Sequence, residues 1–581
     1  MMNLGEIGWA KALRENHWKW RNENMKKIVA WMLALGMMLS MAACGGETQV
    51  ESSAPGPESQ APAQTQEATQ QPAPPVSQEE SSVLEASSVE ETMEGPAPLE
   101  LPLADYDVTL SVWWSYPPWL TNYIDAAEKP TFVEMTKRTG VNLDVVGVSL
   151  ISASEQFSLM LASNDLTDII ADFGGMYSGT FDQAVEQDTI IDLREYIDTV
   201  CPNYYELIHS DDTIYKTVVT NEGNIPMFAS INDDNAFIRG GYWYNTDMLS
   251  RLKRDVPVTL DDWYDTLTAA RDELGADSAF WMDSTGSPVD LLGAYDVTRD
   301  FYQVDNQVKF GYLEDGMKDY LTMMSKWYAE GLVYKDFYTQ SSGSDKPDTT
   351  DIVQEEQCIL WRNSSNAYSY FTVPQRAISA PVKEKGQQLH FSEMPDKVNT
   401  LSCWVISSKC EEPEIAAKFL DYFYSQDGRL LTNYGIEGVS YEMVDGKPQF
   451  TDLVTNNPDG ISFNQTLAIY AFFNTAGTYV DNIRMDSTYD QAQIDSRGIW
   501  ADHNDTAYNY PSGAAMTVPE SEAYYAKYNE IDTYIDETVL QFILGDKPLT
   551  EYDAFRETLI SMGIEDCLAI RQTALDRYNS K

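Results

Sequence analysis

The side chains that most often do chemistry are distributed here in a way that argues against catalysis. The chain has only four histidines. Three of them, His209, His390 and His503, lie far apart beyond residue 44, and no HExxH or paired spacing links them. Asp and Glu together number 91, so no single pair of carboxylates stands out as the two groups that a glycoside hydrolase sets at a defined separation. There is no GxSxG for a serine nucleophile and no GxxxxGK[ST] or GxGxxG for a nucleotide. Beyond Cys44 the cysteines are Cys201, Cys358, Cys403, Cys410 and Cys567, an odd number without a CxxC. Cys403 and Cys410 could pair, but buried free thiols are expected for most of the five. No enzyme activity, cofactor or metal is therefore expected. The chain is instead rich in flat apolar faces, with 14 Trp and 35 Tyr.

Those aromatics lie behind a leader. Lys26 and Lys27 precede an apolar run from Ile28 to Met41, which ends in Ala42 and Ala43. A short basic start, a short apolar stretch and a small-residue end make a secretory signal peptide. The run is shorter than the roughly 20 apolar residues a membrane span needs. Residues 1–24 are polar and Trp-rich and have no place in such a signal, so translation is expected to start at Met25, with the signal occupying 25–43. Residues 44–102 are mostly Ser, Pro, Gln, Ala and Glu, with no Lys or Arg. Such a composition cannot offset its ordering entropy by burial and reads as an extended linker.

The formal net charge is -52, and removing the basic leader makes it more acidic. Such a surface argues against nucleic acid as a partner. From Leu103 onward the chain is too long for one core and is expected to form two lobes. Lobe 1 is assigned to residues 103–235 and lobe 2 to 236–399, each with part of 400–581.

The periodicity supplies the elements. Asp107 to Trp114 alternates as a strand ended by Pro117 and Pro118, and a helix follows through Phe132, Val133 and Met135 to Gly140. Val141–Val148 is a strand, Glu155–Ser163 a helix and Leu166–Ala171 a strand. This β-α-β-α-β order predicts a mostly parallel sheet flanked by helices. Later, Tyr242–Tyr244, Cys358–Trp361 and Cys403–Ile406 read as strands. Thr259 caps a helix with Asp262 three residues on, and Pro413 opens another that is expected to end at Gly428. Two α/β units joined by crossing strands leave a cleft between them.

Met41-Ala42-Ala43-Cys44 resembles the lipobox of bacterial lipoproteins, in which the cysteine is acylated and becomes the new N-terminus. The folded region contains Leu161-Ala-Ser-Asn-Asp-Leu-Thr-Asp-Ile169, Val256-Pro-Val-Thr-Leu-Asp-Asp-Trp-Tyr264, Glu330-Gly-Leu-Val-Tyr-Lys-Asp-Phe337, Asn433-Tyr-Gly-Ile-Glu-Gly438 with Tyr441 and Asp445-Gly-Lys-Pro448, and Pro548-Leu-Thr-Glu-Tyr-Asp553. In this order they resemble the extracellular solute-binding proteins of Gram-positive ABC transporters, family 1. It implies an α/β, two-lobed, venus-flytrap fold, lipid-anchored at Cys44 on the outer face of the membrane. It also implies capture of a small solute between the lobes, delivery to an ABC permease and, as in many relatives, an oligosaccharide as ligand. No acidic calcium loop of the D-x-D-x-D-G type is present, and a monomer is expected.

Sugar binding needs aromatic faces for stacking and polar groups for hydroxyls, and open α/β sheets bind ligands at the carboxyl ends of strands. That rule picks Trp113, Trp114 and Tyr116 after the first strand, and Asp172, Gly174 and Gly175 after the third. In the second lobe it picks Trp243, Trp281, Trp361 and Arg362, with Trp404 near the crossover. Asp172 and Arg362 offer charge-assisted hydrogen bonds. Two other readings stay open: a secreted carbohydrate-active hydrolase, and a binding-protein-like surface sensor without a permease.

Overall fold

Nine residues from Val108 to Tyr116 form strand β1, whose exposure alternates from Val108 to Val112 and again from Trp113 to Tyr116, with Val112 and Trp113 both buried. The helix Pro130–Thr139 returns the chain, with Pro130 at its first position. Gly140, at φ 75°, ends it in the left-handed conformation that a residue without Cβ adopts freely. Strand β2 (Val141–Ser149) pairs parallel to β1 along its whole length. The helix Ala153–Ser163 leads to the short strand β3 (Ile169–Ala171), parallel to β1 on its other side. Asp168, from the motif before β3, accepts hydrogen bonds from the Ser111 backbone N–H at 2.7 Å and its hydroxyl at 2.6 Å, so it fastens the two strands together.

The structure, a computed structural model, describes residues 95–282, 289–339, 349–472 and 477–581. Cys44, the leader and the linker up to residue 94 lie outside the described residues. Residues 95–102, expected in the linker, lie against lobe 1, with Leu99 packed on its core and Gly95 on the Tyr205 ring. Leu103 is buried and donates to the Thr139 carbonyl.

The remaining strands are β4 (Phe228–Asn232), β5 (Gly240–Asn245), β6 (Phe280–Trp281), β7 (Phe301–Val304), β8 (Gln307–Phe310), β9 (Leu360–Ser364), β10 (Gln375–Ile378), β11 (Val398–Ile406), β12 (Tyr441–Val444), β13 (Lys447–Phe450) and β14 (Tyr479–Val480). The first lobe is built on a six-stranded sheet in the order β14-β4-β11-β3-β1-β2. Its pairs are parallel except where β11 runs antiparallel between β3 and β4. The second lobe has a four-stranded sheet in the order β10-β5-β9-β6.

The two-lobed α/β architecture is as expected, but parallel pairing is a property of the first sheet. In the second, β5 pairs antiparallel with both β10 and β9, and only β6 with β9 is parallel. The reason is topological. Several helices and three other strands separate β5 from β9 in the chain, so the two are not joined by a single crossover helix as β1 and β2 are by Pro130–Thr139.

Each sheet buries its own core. One apolar cluster centres on β1, β3, β4 and β11, and includes Trp113, Phe157, Phe173 and Trp404. A second gathers Tyr242, Trp263, Phe280 and Trp327 with the long C-terminal helix Val518–Leu544 and the helices Tyr552–Met562 and Ile564–Ser580. The helix Leu260–Ala269 begins in the expected capping box of Thr259 and Asp262. The expected helix from Pro413 to Gly428 is two helices, Pro413–Tyr422 and Gln426–Tyr434. Gly428 lies inside the second, where a Cβ would sit 1.8 Å from the Tyr422 carbonyl oxygen, so glycine serves close approach there and not termination. All five described cysteines are free, four of them buried and Cys410 half-buried.

Candidate ligand-binding cleft

The strand directions bring one edge of the first sheet to the space between the lobes. β1 and β3 are parallel, so Tyr116 and Ala171 end on the same side. β11 runs against β3, with Trp404 opposite Ala171, so its first residues, Val398 to Leu401, project past the end of β3. β4 ends beside them, with Ile231 opposite Val398, and β14 runs parallel to β4. From this edge the chain crosses to the second lobe three times, between β4 and β5, between β10 and β11, and after β14.

A cavity of about 710 Å³ opens where these crossings meet. Ser230 and Asn232 come from the end of β4, Asn399 to Ser402 from the start of β11, and Asp481, Asn482 and Arg484 from the segment after β14. Arg239 before β5 and Asn366 after β9 approach from the second lobe. These two ends adjoin because Gly240 pairs with Ser364. The lining is held by polar contacts. Asn482 donates to Asn232 Oδ1 at 3.1 Å and to the buried Asp233 at 3.0 Å, while Arg239 donates to Asn482 Oδ1 at 3.0 Å. Asp481 accepts from the Tyr434 hydroxyl at 3.0 Å, and Arg429 lies 3.7 Å away. Tyr489, also on the wall, donates to Asn366 Oδ1 at 2.8 Å and so links the segment after β14 to the second lobe. Volume and lining are of the kind that holds a small polar molecule.

The residues singled out in the sequence divide into three groups. Trp114 and Tyr116 are half-buried at the end of β1, 5.9 Å apart between ring centroids. They pack on Leu120, Ala468 and Ile469, next to Leu467 of the cavity wall. Asp172 is half-buried at φ 55° and accepts from the Ser115 hydroxyl at 3.0 Å. Burial raises its carboxyl pKa, and the Ser115 bond opposes that rise.

Gly174 and Gly175 touch the cavity wall from behind. A Cβ on Gly174 would sit 2.2 Å from the Thr400 carbonyl oxygen, and one on Gly175 would sit 3.4 Å from that of Leu401. Their role in the structure is to let a short helix, Phe173–Met176, approach β11 closely.

The third group is placed away from any open surface. Trp113 is enclosed against Phe157, Trp243 against Trp500, and Trp404 is stacked on Phe472. Trp361 and Trp281 are buried in the core of the second sheet. An enclosed indole contributes packing and offers no stacking face. Arg362 is bound to Glu393, so its charge is already paired.

The polar crossings were missed in the sequence. Asn232-Asp233-Asp234-Asn235 and Asp481-Asn482 look like ordinary turns, and β4 and β14, which carry them, lack a strong alternating pattern. Among the described residues, no cluster of His, Cys, Asp and Glu is arranged to hold a metal ion, and no helix is long and apolar enough to cross a membrane.

Comparison with known proteins agrees with this architecture. Lipoprotein LipO of Bacillus subtilis is 24% identical over 444 residues, covering 72% of this chain and 83% of that protein. The fructooligosaccharide ABC transporter substrate-binding protein FusA of Streptococcus pneumoniae is 22% identical over 488 residues, covering 78% and 88%. An extracellular solute-binding protein from Bifidobacterium longum subsp. infantis shares the fold with a TM-score of 0.69 at 16% identity, over 82% of this chain and 99% of that one. Residues 114–429 match the family model of the bacterial extracellular solute-binding proteins, which spans more than half the chain, and the protein belongs to that family.

Proposed function

We propose that the protein captures a small solute, an oligosaccharide, in the cleft between its lobes and passes it to an ABC permease, without transforming it. The observation that carries this reading is the polar cavity of about 710 Å³ at the three crossings, where a small change of lobe angle would alter its walls. The family supports capture, and the oligosaccharide named for FusA supports the ligand class. Within the cleft, Trp114 and Tyr116 supply the aromatic faces and Asp172 a hydroxyl acceptor. Trp113, Trp243, Trp281, Trp361 and Trp404 hold the lobes in shape, and Arg362 acts through Glu393. A lipid on Cys44 keeps the protein at the outer face of the membrane.

The test is a thermal-shift screen of the full chain against oligosaccharides, since a ligand bound only by the folded state raises apparent stability. A rise with the sugar recovered intact is expected. Hydrolysis of that sugar on long incubation would overturn the reading in favour of an enzyme. Fatty-acid labelling that disappears in Cys44→Ala tests the anchor, and co-purification with permease subunits tests delivery.

A further inference from the structure

The chain carries 91 acidic residues against 39 basic ones, yet its cleft wall holds two arginines, Arg239 and Arg484. Other arginines near the crossings are matched by carboxylates. Arg497 is paired with Asp486, and Arg429 lies 3.4 Å from Asp233 and 3.7 Å from Asp481. Arg239 is different. It is exposed, its hydrogen bond goes to the neutral Asn482 Oδ1 at 3.0 Å, and its guanidinium lies 5.7 Å from the Phe237 ring centroid. Among the described residues no carboxylate lies within ion-pair distance of it.

Arg484 donates to the Phe472 carbonyl at 3.0 Å. Burial pulls its pKa down to about 10; Tyr434 and Asp481 oppose that fall, and the charge of Arg239 adds to it. Both arginines line the same cavity as Tyr489, and Asn482, which Arg239 holds, lies two residues before Arg484. Two carboxylates also reach this wall. Asp481 is engaged by Tyr434 and Arg429, and Asp396 is exposed.

We propose that the solute carries an anionic group, a carboxylate or a sulfate ester, that Arg239 and Arg484 receive together. A guanidinium matches such groups with two parallel N–H donors, and an anion here supplies the counter-charge that no carboxylate among the described residues gives Arg239. The asparagines and serines around them donate to and accept from hydroxyls, so the class of ligand is an acidic oligosaccharide. Closure would tighten the contact, because Arg239 enters from the second lobe while Arg484 comes just after β14 of the first sheet. This inference rests on the capture of an oligosaccharide proposed above.

The experiment compares matched ligands by calorimetry on the full chain: oligogalacturonides with their neutral methyl esters, and sulfated galactan oligosaccharides with their desulfated forms. An acidic member of one pair is expected to bind at least tenfold more tightly than its neutral twin and to weaken as salt rises. Which pair responds tells carboxylate from sulfate. Arg239→Ala is expected to lose at least tenfold for the acidic member and clearly less for the neutral twin, with Arg239→Lys in between. An unchanged melting temperature shows that the variants fold. If neutral oligosaccharides bind as well as acidic ones, or Arg239→Ala changes nothing, the anionic reading falls and capture of oligosaccharides stands. If no oligosaccharide of either kind binds, both fall.

Discussion

The two lobes treat their aromatic residues differently. In the first, adjacent residues of one strand part company: Trp113 turns into the core, while Trp114 and, two residues on, Tyr116 reach the sheet's edge. In the second lobe Trp243 and Trp361 sit opposite each other in the middle of paired strands, both enclosed. The difference comes from strand direction. Where β1 and β3 run parallel, their carboxyl ends share one edge, and the loops leaving both strands meet there. In the second sheet β5 starts at the cleft and β9 ends there, so a rule about carboxyl ends does not mark its open side. The second lobe reaches the cleft through Arg239, just before a strand, and Asn366, just after one.

This contrast can be broken most directly at Trp361. Trp361→Ala should cost about 3–5 kcal/mol of stability, as removal of a fully buried aromatic does, measured by denaturant unfolding. A loss below about 1 kcal/mol would mean that the indole is not enclosed and would return it to the set of binding residues.

The first lobe should also show a pH dependence. Asp421 is fully buried and accepts from the Tyr204 N–H at 2.7 Å and the Asn203 side chain at 2.7 Å. Burial outweighs these bonds and raises its pKa to about 6. A carboxyl raised on folding contributes stability that is present below its unfolded pKa of about 4 and lost as pH rises through about 6, on the order of 2–3 kcal/mol. Asp421→Asn should flatten that slope, read from unfolding curves between pH 4 and 7. An unchanged slope would place the titrating group elsewhere.

The two glycines behind the cavity wall sharpen the picture of the edge. Gly174→Ala should destabilise by about 1–3 kcal/mol, because the Cβ meets a backbone oxygen that cannot rotate away. Gly175→Ala, with only ordinary contact at 3.4 Å, should stay within about 0.5 kcal/mol. Equal effects would show that β11 yields at this point.

Trp114→Ala should weaken ligand binding at least tenfold, about 1.4 kcal/mol, with a smaller effect on stability than Trp361→Ala. Calorimetry and melting curves on both variants test whether edge and core aromatics divide as the two lobes suggest.

Much of the first lobe was legible in advance. β1, β2 and the helices between them are set by alternation, by Pro117 and Pro118, and by Gly140. The capping box at Thr259 was likewise readable from residues three apart. The break after Tyr422 was not, because apolar spacing runs through it and only the approach of Gly428 to the Tyr422 carbonyl shows the turn.

The lining of the cavity was not legible in advance. Trp114, Tyr116 and Asp172 lie at the ends of β1 and β3 and are not among the residues that line it. Asn232, Asn482 and Arg484 lie at the ends of short strands with little pattern, and nothing local distinguishes them from surface turns.

Sequence alone determined the α/β class, the family and the acidic character, because these depend on local periodicity, short motifs and composition. The tertiary structure decided which tryptophans are enclosed and which polar turns converge. Those outcomes depend on how strands far apart in the chain pair and in which direction, and backbone hydrogen bonding makes that choice without leaving a signature in any single segment.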